Sequence, residues 1–145
     1  MTIEQISIFL ENRPGAILEI TKLLAEKNIN LRAMSVAETA NFGIVRVITS
    51  DSFETINTLR NAGYVCRITK VLAVSLTDSP GALNETLEVL YRENINIEYM
   101  YALMCREENR AVTIFKTPVV EDAAKILNEN GVKLLSQDEM NVLFK

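Results

Sequence analysis

Histidine is absent from the 145-residue sequence. Without it the chain cannot carry a Ser-His or Cys-His catalytic pair, a histidine metal ligand or a histidine-based pH switch. Cysteine occurs only twice, at Cys66 and Cys105, without CxxC spacing or a nearby cluster of metal ligands. We expect both cysteines to be reduced core or sheet residues, as is usual in a cytoplasmic protein.

The sequence also lacks a strong charge imbalance and a long apolar run. Fifteen basic and nineteen acidic residues give a net charge of −4, which provides no attraction for nucleic acid or for anionic membranes. The first residues contain neither a basic leader nor a stretch of 18 apolar residues. The acidic pairs Glu107-Glu108 and Asp138-Glu139 have no third ligand at metal-binding spacing, so we interpret them as solvated turns. We therefore expect a cytoplasmic protein without a metal, a cofactor, a nucleic-acid partner or a membrane span.

The chain contains an internal repeat. Asn12–Met34 aligns with Asp78–Met100 at a constant shift of 66 positions, and nine of the twenty-three aligned residues are identical. Chance would give roughly one or two identities at ordinary composition. Further on, 44–48 matches 111–115 with the shift drifting by one, and Gly63 matches Gly131. The repeat predicts two units, residues 1–70 and 71–145.

Each unit has the periodicity of a β-α-β-β-α-β fold. Ile6, Ile8 and Leu10 alternate as in a strand, and Pro14 fits the first position of a helix. Apolar stripes at helical spacing follow in both copies. Strands are predicted at 31–38, 44–49, 97–105 and 110–116, with turns at 39–43 and 106–109. Helices are predicted to end at 28–30 and 94–96, to run from Asp51 to just before Gly63, and to run from Pro118 to Gly131.

The junction between the units is short. By the repeat alignment, 71–76 corresponds both to the opening strand and to the last segment of the chain, 140–144. We infer a long strand or two abutting strands shared between the units, or exchanged closing strands.

The two strand-to-helix loops are the best-preserved part of the repeat. A Pro-Gly pair at a helix start leaves the backbone N–H groups of Gly15, Ala16 and Ile17 unpaired, which favours a bound carboxylate. Asn12 offers a carbonyl oxygen to an ammonium group, and its counterpart Asp78 offers a full negative charge. The alternative is structural: Asn12 or Asp78 caps its helix, or Ser79 is the N-cap.

These loops, each followed by N-I-N at the start of a second strand, resemble the ACT domain family over essentially the whole chain. The resemblance implies an α+β fold of two ferredoxin-like units in tandem, with antiparallel sheets side by side and helices on one face. It also implies amino-acid binding at the inter-repeat cleft, with each loop facing the second-strand Asn of the other unit. The residues that the resemblance assigns to the ligand site are Asn12, Arg13, Pro14, Gly15, Ala16, Ile17, Asn30, Leu31, Asp78, Ser79, Pro80, Gly81, Ala82, Leu83, Asn96 and Ile97.

Three functions are compatible with this interpretation. The first is a non-enzymatic sensor that binds a free amino acid at two unequal sites and reports to a partner. The second is a regulatory subunit that contacts an amino-acid biosynthetic enzyme such as acetolactate synthase. The third, a small acyl-phosphate hydrolase, requires an arginine in the phosphate loop, and Arg13 occurs in only one copy.

The predicted strand at 97–105 is apolar on both faces. Tyr99, Tyr101 and Leu103 alternate with Met100, Ala102 and Met104. A sheet with helices on one side should expose a polar second face, so we expect a homodimer through this face. A ligand-facing aromatic patch and ordinary surface variation are the alternatives. Tyr64 and Tyr91 are expected to be half-buried packing residues.

Overall fold

The structure, a computed structural model, describes residues 1–103 and 107–145. Cys105, Met104 and the end of the predicted strand 97–105 lie outside the described residues. The chain divides into two compact units. The first unit is Glu4–Thr69, and the second is Lys70–Lys145 together with Met1–Ile3.

The order of elements confirms two β-α-β-β-α-β units. The elements are β1 (Ile3–Glu11), α1 (Ala16–Glu26), β2 (Leu31–Glu38), β3 (Phe42–Thr49), α2 (Ser52–Asn61), β4 (Cys66–Thr77), α3 (Ala82–Arg92), β5 (Tyr99–Leu103), β6 (Arg110–Lys116), α4 (Val120–Glu129), β7 (Lys133–Leu135) and α5 (Gln137–Leu143). In the first unit β2, β3, β1 and the start of β4 are neighbours in that order, and in the second unit the order is β7, β4, β6, β5. The β1–β3, β2–β3, β4–β6, β4–β7 and β5–β6 pairs are antiparallel.

In each unit, two helices pack on the same face of the sheet. In the first unit the alternating residues of β1 that include Ile8 form one core with Ile20 of α1 and Leu59 of α2. In the second unit, Leu72 and Val74 of β4 form a core with residues of α3 and α4. The period-two pattern of the strands and the apolar stripes of the helices meet there, as the sequence predicts. No helix in the described ranges is long and apolar enough to span a membrane.

The first four helices end in the same way. Asn28, Gly63, Asn94 and Gly131 follow the last turns with positive φ angles of 54°, 89°, 55° and 75°. After α1, the Asn28 N–H donates to the Ala25 carbonyl at 3.0 Å and the Ile29 N–H donates to the Leu24 carbonyl at 2.9 Å. This pair of bonds is the Schellman arrangement, which favours glycine or asparagine in the left-handed position. The predicted helix ends are thereby confirmed.

The prediction that Pro14 is the first helical residue is wrong. Helices α1 and α3 begin two residues after the prolines, at Ala16 and Ala82, and their N-caps are Gly15 and Gly81. The Ala16 N–H donates to the Arg13 carbonyl at 3.3 Å, and Ala82 makes the same bond to Ser79. Proline followed by glycine with positive φ is the signature of a type II turn, which uses both residues before the helix begins.

The junction is a single long strand. Residues 66–69 of β4 belong to the first unit and 70–77 to the second. The second unit is closed by β7, in which Leu134 pairs with Val74 of β4.

The expectation that 140–144 forms a closing strand is wrong. These residues lie in or next to α5, which starts with a capping box: Ser136 Oγ accepts from the Glu139 N–H, and the Glu139 carboxylate accepts from the Ser136 N–H. The Asp138-Glu139 pair therefore lies in the first turn of a helix and not in a solvated turn. The S-x-x-E pattern at residues 136–139 is a local signal for a helix start, whereas the repeat alignment predicts a strand in the residues that follow.

The strand register also corrects the alignment after the loops. Leu10 pairs with Gly43 in the first unit, and its counterpart Leu76 pairs with Ala111 in the second. The structural shift in β3 and β6 is therefore 68 positions. The alignment of 44–48 with 111–115 is wrong by one residue, and a slip of one residue in a strand places every side chain on the opposite face.

The second unit buries apolar residues on the sheet face opposite α3 and α4. Leu135 pairs with Ala73, Ala73 with Ile114, and Ile114 with Tyr101, so the four residues share one face. Ile114 is fully buried and Tyr101 is partly buried within the single chain. Helix α5 contacts β7, and its Met140 is fully buried. The apolar strand face is thus buried within the single chain, so its apolar residues do not argue for a homodimer. The homodimer stays a prediction.

The two remaining tyrosines have different environments. Tyr64 packs against the first core, as predicted. The prediction for Tyr91 is wrong, because its side chain is 82% exposed on α3. Cys66 is a free, buried cysteine, and burial raises the pKa of its thiol.

Candidate functional site

The two predicted ligand loops, residues 12–15 and 78–81, have the same backbone geometry. The Asn12 N–H donates to the Asn41 carbonyl at 3.1 Å, and the Asp78 N–H donates to the Asn109 carbonyl at 2.9 Å. Each loop is therefore fixed at its first residue by a hydrogen bond to the turn between the second and third strands of the same unit. The type II turn fixes its other end. A fixed loop of this kind presents its helix N-terminus in a preformed position.

The space in front of both helix starts is open. Gly15 and Gly81 have φ angles of 85° and 91°, and a Cβ placed on either residue would meet no atom within 4 Å. Within residues 1–103 and 107–145 no side chain caps either helix, so the capping hypothesis for Asn12, Asp78 and Ser79 is wrong. The Asn12 amide instead lies 3.4 Å from the Thr39 carbonyl as a donor.

The donors at the helix starts differ from the prediction in one respect. Ala16 and Ala82 use their N–H groups to close the type II turns. The N-cap and second helical residues, Gly15 and Ile17 in the first unit, still have no partner inside the helix for their N–H groups. These donors, with the positive end of the helix dipole, suit a carboxylate.

A cavity of about 220 Å³ lies beside the first loop. It brings together four of the predicted residues, Asn12, Arg13, Ala16 and Ile17, but Asn30 and Leu31 do not line it. Residues that sequence reasoning missed complete the wall: Leu10, Glu11, Val36, Glu38, Gly43 and Val45. Their signal was the pairing of β1 with β3, which places Gly43 next to Leu10.

The second-strand asparagine of the first unit, Asn30, is positioned by its backbone. The Asn30 N–H donates to Ser50 Oγ at 3.1 Å, and the Ser50 N–H donates to the Asn30 carbonyl at 3.0 Å. The residues after the asparagines, Leu31 and Ile97, are partly buried against the two cores. Both asparagines are exposed. Their predicted pairing with the loops stays a prediction.

Arg13 is held by its own unit. Its guanidinium donates to both carboxylate oxygens of Glu19, with Nη2–Oε2 at 2.9 Å and Nη1–Oε1 at 3.1 Å, and Nε lies 3.4 Å from Glu11. The Tyr64 hydroxyl donates to Glu19 at 3.2 Å. The hydrogen bond from Arg13 lowers the pKa of Glu19, and the same bond raises the pKa of Arg13. A ligand carboxylate would therefore compete with Glu19 for this guanidinium.

The order of strands and helices defines a chain of two consecutive ferredoxin-like units. The family model described as an ACT domain pair matches residues 1–144, and the chain belongs to this family. No curated protein matches the chain.

Solved structures agree with this assignment. Protein BT0572 from Bacteroides thetaiotaomicron is 37% identical, with a TM-score of 0.91 over 97% of this chain and 96% of that chain. The ligand-free regulatory subunit of aspartate kinase from Thermus thermophilus is 16% identical, with a TM-score of 0.64 over 87% and 91% of the two chains. The corresponding subunit from Thermus flavus is 15% identical, with a TM-score of 0.59 over 87% and 90%. These two subunits share the fold.

Proposed function

We propose that the protein is a non-catalytic regulator that binds a free amino acid at the loops 12–15 and 78–81. The observation that carries the proposal is the open helix start after each Pro-Gly turn, where N–H donors stand without a side-chain cap. The ligand carboxylate accepts from these donors, and Asn12 or Asp78 receives the ammonium group. Membership in the ACT domain pair family supports a regulatory role.

The two sites are unequal in this proposal. Asp78 places a full charge where the first loop has the neutral Asn12, and Ser79 stands where the first loop has Arg13. A hydrogen bond with an ionised group is roughly twice as strong as one between neutral groups. The second loop therefore binds the ammonium group more tightly.

Calorimetry with each of the twenty amino acids tests the proposal. We expect one amino acid or a small related group to bind, with a micromolar dissociation constant that corresponds to about −8 kcal/mol. No heat with any amino acid from a folded sample would overturn the proposal.

Substitution of Leu83 locates the site. Leu83 is 37% exposed at the start of α3. Leu83→Glu adds a negative charge in the first turn of α3, where it competes with the ligand carboxylate for the positive end of the helix, and it should weaken binding at the second loop. Leu83→Met keeps an apolar side chain of similar volume and is the matched control. Equal affinity of both variants would place the ligand elsewhere.

A second candidate is a regulatory subunit that acts through contact with an enzyme. The fold shared with subunits described as regulatory in aspartate kinase favours it. Acetolactate synthase is another enzyme of the kind that such a subunit would contact. Purification from native cells separates the candidates: a stoichiometric large enzyme supports the subunit, and a chain that purifies alone and binds an amino acid supports the sensor.

A further inference from the structure

The first unit contains a groove next to α1 that its own side chains occupy. The groove is about 230 Å³ in volume and is lined by residues that include Glu11, Arg13, Glu19, Gly63 and Tyr64. At its centre the Glu19 carboxylate accepts from the Arg13 guanidinium and from the Tyr64 hydroxyl. The first unit thus shows which groups fit this place: a planar cation held by a carboxylate.

The second unit has the same groove without these occupants. Its volume is about 430 Å³, and its lining includes Thr77, Ala82, Glu85, Gly131 and Val132. Glu85 is the repeat counterpart of Glu19, and Gly131 and Val132 follow α4 as Gly63 and Tyr64 follow α2.

The second unit has the carboxylate of the first unit at the corresponding position, but it lacks the two residues that donate to that carboxylate in the first unit. Serine stands at position 79 where the first unit has Arg13, and valine at 132 where it has Tyr64. No cation among the described residues lies within salt-bridge distance of Glu85. The larger volume of the second groove follows from the loss of the two long side chains.

We propose that this groove binds a small ligand with a guanidinium or primary ammonium group, and that the cation pairs with Glu85 as Arg13 pairs with Glu19. Two-pronged hydrogen bonding to a carboxylate favours the guanidinium over the ammonium. Arg92 and Lys133 also line the groove, where the first repeat has Glu26 and Val65. An anionic group at the other end of the ligand would meet these two cations. The groove shares Ala82 with the predicted loop site, but the pairing of a cation with Glu85 does not require an amino acid bound at the loops.

Propylguanidinium tests the proposal separately from the proposed function, because it carries one guanidinium, no carboxylate for the helix starts and no second charge to face Arg92 and Lys133. The full-length ¹⁵N-labelled protein is titrated with propylguanidinium at constant ionic strength and followed by NMR. We expect saturable shifts at the amides of Glu85, Thr86 and Val132. Absence of saturation, or shifts confined to other residues, would overturn the proposal whatever the result of the amino-acid calorimetry.

Two variants make the assignment specific. Glu85→Gln should weaken propylguanidinium binding about tenfold or more, because it removes the charge-assisted hydrogen bonds. Val132→Tyr should weaken it by filling the groove with the side chain that occupies the first unit. Glu121→Gln removes a glutamate of the same unit that does not line the groove, and it should leave the affinity unchanged. Equal losses in Glu85→Gln and Glu121→Gln, with no loss in Val132→Tyr, would indicate charge attraction without a site and would overturn the proposal.

The first unit offers the reverse experiment. Arg13→Ser removes the guanidinium from Glu19 and should create a second propylguanidinium site, seen as new shifts at Glu19 and Gly63. The wild-type protein should show no such shifts. Failure of this variant to gain binding, in a protein whose spectrum is otherwise native, would contradict the view that Glu19 and Glu85 share one preference.

Discussion

The hydroxyl oxygens of Thr49 and Thr55 lie 2.8 Å apart in the interior of the first unit. The Thr55 hydroxyl also donates to the Asp51 carbonyl at 2.5 Å, so it accepts the bond from Thr49. The shift of 68 positions between β3 and β6 aligns Thr49 with Thr117, and the same shift between the starts of α2 and α4 aligns Thr55 with Ala123. The Thr117 hydroxyl is buried without a hydrogen-bond partner among the described residues. The first unit therefore has a hydrogen-bonded pair of threonine hydroxyls, and the second unit has only the hydroxyl that follows the strand.

Thr55→Val should destabilise the protein more than Thr49→Val. Loss of Thr55 strands the buried Thr49 hydroxyl, which costs about 1–3 kcal/mol. Loss of Thr49 leaves Thr55 bonded to the Asp51 carbonyl, so the cost is that of one hydrogen bond, about 0.5–1.5 kcal/mol. Urea unfolding followed by circular dichroism measures both values. The double variant is the control for coupling, and a strictly additive result would contradict a bond between the two hydroxyls.

Thr117→Val should stabilise the protein, in contrast to the two substitutions above. The substitution keeps the shape of the side chain and removes a buried hydroxyl that has no partner, so we expect a gain of about 1 kcal/mol. The same unfolding measurement applies, with Thr49→Val as the matched substitution at the equivalent strand position. Destabilisation by Thr117→Val would show that the hydroxyl is satisfied in solution.

Helix α5 should loosen at acid pH. The hydrogen bond from the Ser136 backbone lowers the pKa of Glu139 from its ordinary value of 4.5. A lowered folded-state pKa stabilises the helix fully above that ordinary value, and the contribution is lost as the pH falls through the folded-state pKa. Amide hydrogen exchange of Met140 between pH 6 and pH 3 measures the change.

Ser136→Ala is the companion variant for α5. It removes the N-cap hydroxyl and should cost about 1 kcal/mol at neutral pH. Gln137→Ala, one position further along the helix, is the control for a substitution by alanine at the start of α5. An acid response of α5 that is the same in wild type and in Glu139→Gln would contradict the role of the carboxylate.

Asp78→Asn should make the two loops more alike. In the proposed site the aspartate meets the ligand ammonium, so we expect the tighter of two calorimetric binding events to weaken about tenfold, in keeping with the loss of a charge-assisted bond. Asn12→Asp is the reciprocal variant and should strengthen the weaker event. Unchanged affinities in both variants would remove Asn12 and Asp78 from the site.

Much of the fold was predictable because its signals are local. The duplicated Pro-Gly loops, the alternating strand residues and the N-I-N helix ends each carry their own backbone preference, and the helix ends at Asn28 and Asn94 agree with the sequence prediction. The helix starts were misplaced because proline is acceptable both at a first helical position and in a type II turn.

The candidate site was only half predictable. Its loop residues stand together in the sequence, but Val36 and Gly43 reach the first cavity through strand pairing, which fixes the neighbours of each residue across the sheet. The groove around Glu85 was equally hidden. Its volume depends on the absence of a long side chain at Val132, which is 47 positions away from Glu85 in the chain.

The sequence by itself determined that the protein has two ferredoxin-like units with a preserved loop in each, since a repeated pattern of local preferences needs no knowledge of contacts. Only the tertiary structure decided which contacts the corresponding residues make in each unit. Helix α5 has a local signal in its capping box, and only the burial of Met140 depends on the tertiary structure. Among the described residues, the Thr117 hydroxyl has no hydrogen-bond partner whereas the Thr49 hydroxyl is bonded to Thr55, and Glu85 has no salt-bridge partner whereas Glu19 binds Arg13. These differences arise from packing and hydrogen bonding between residues far apart in the chain, which no local pattern records.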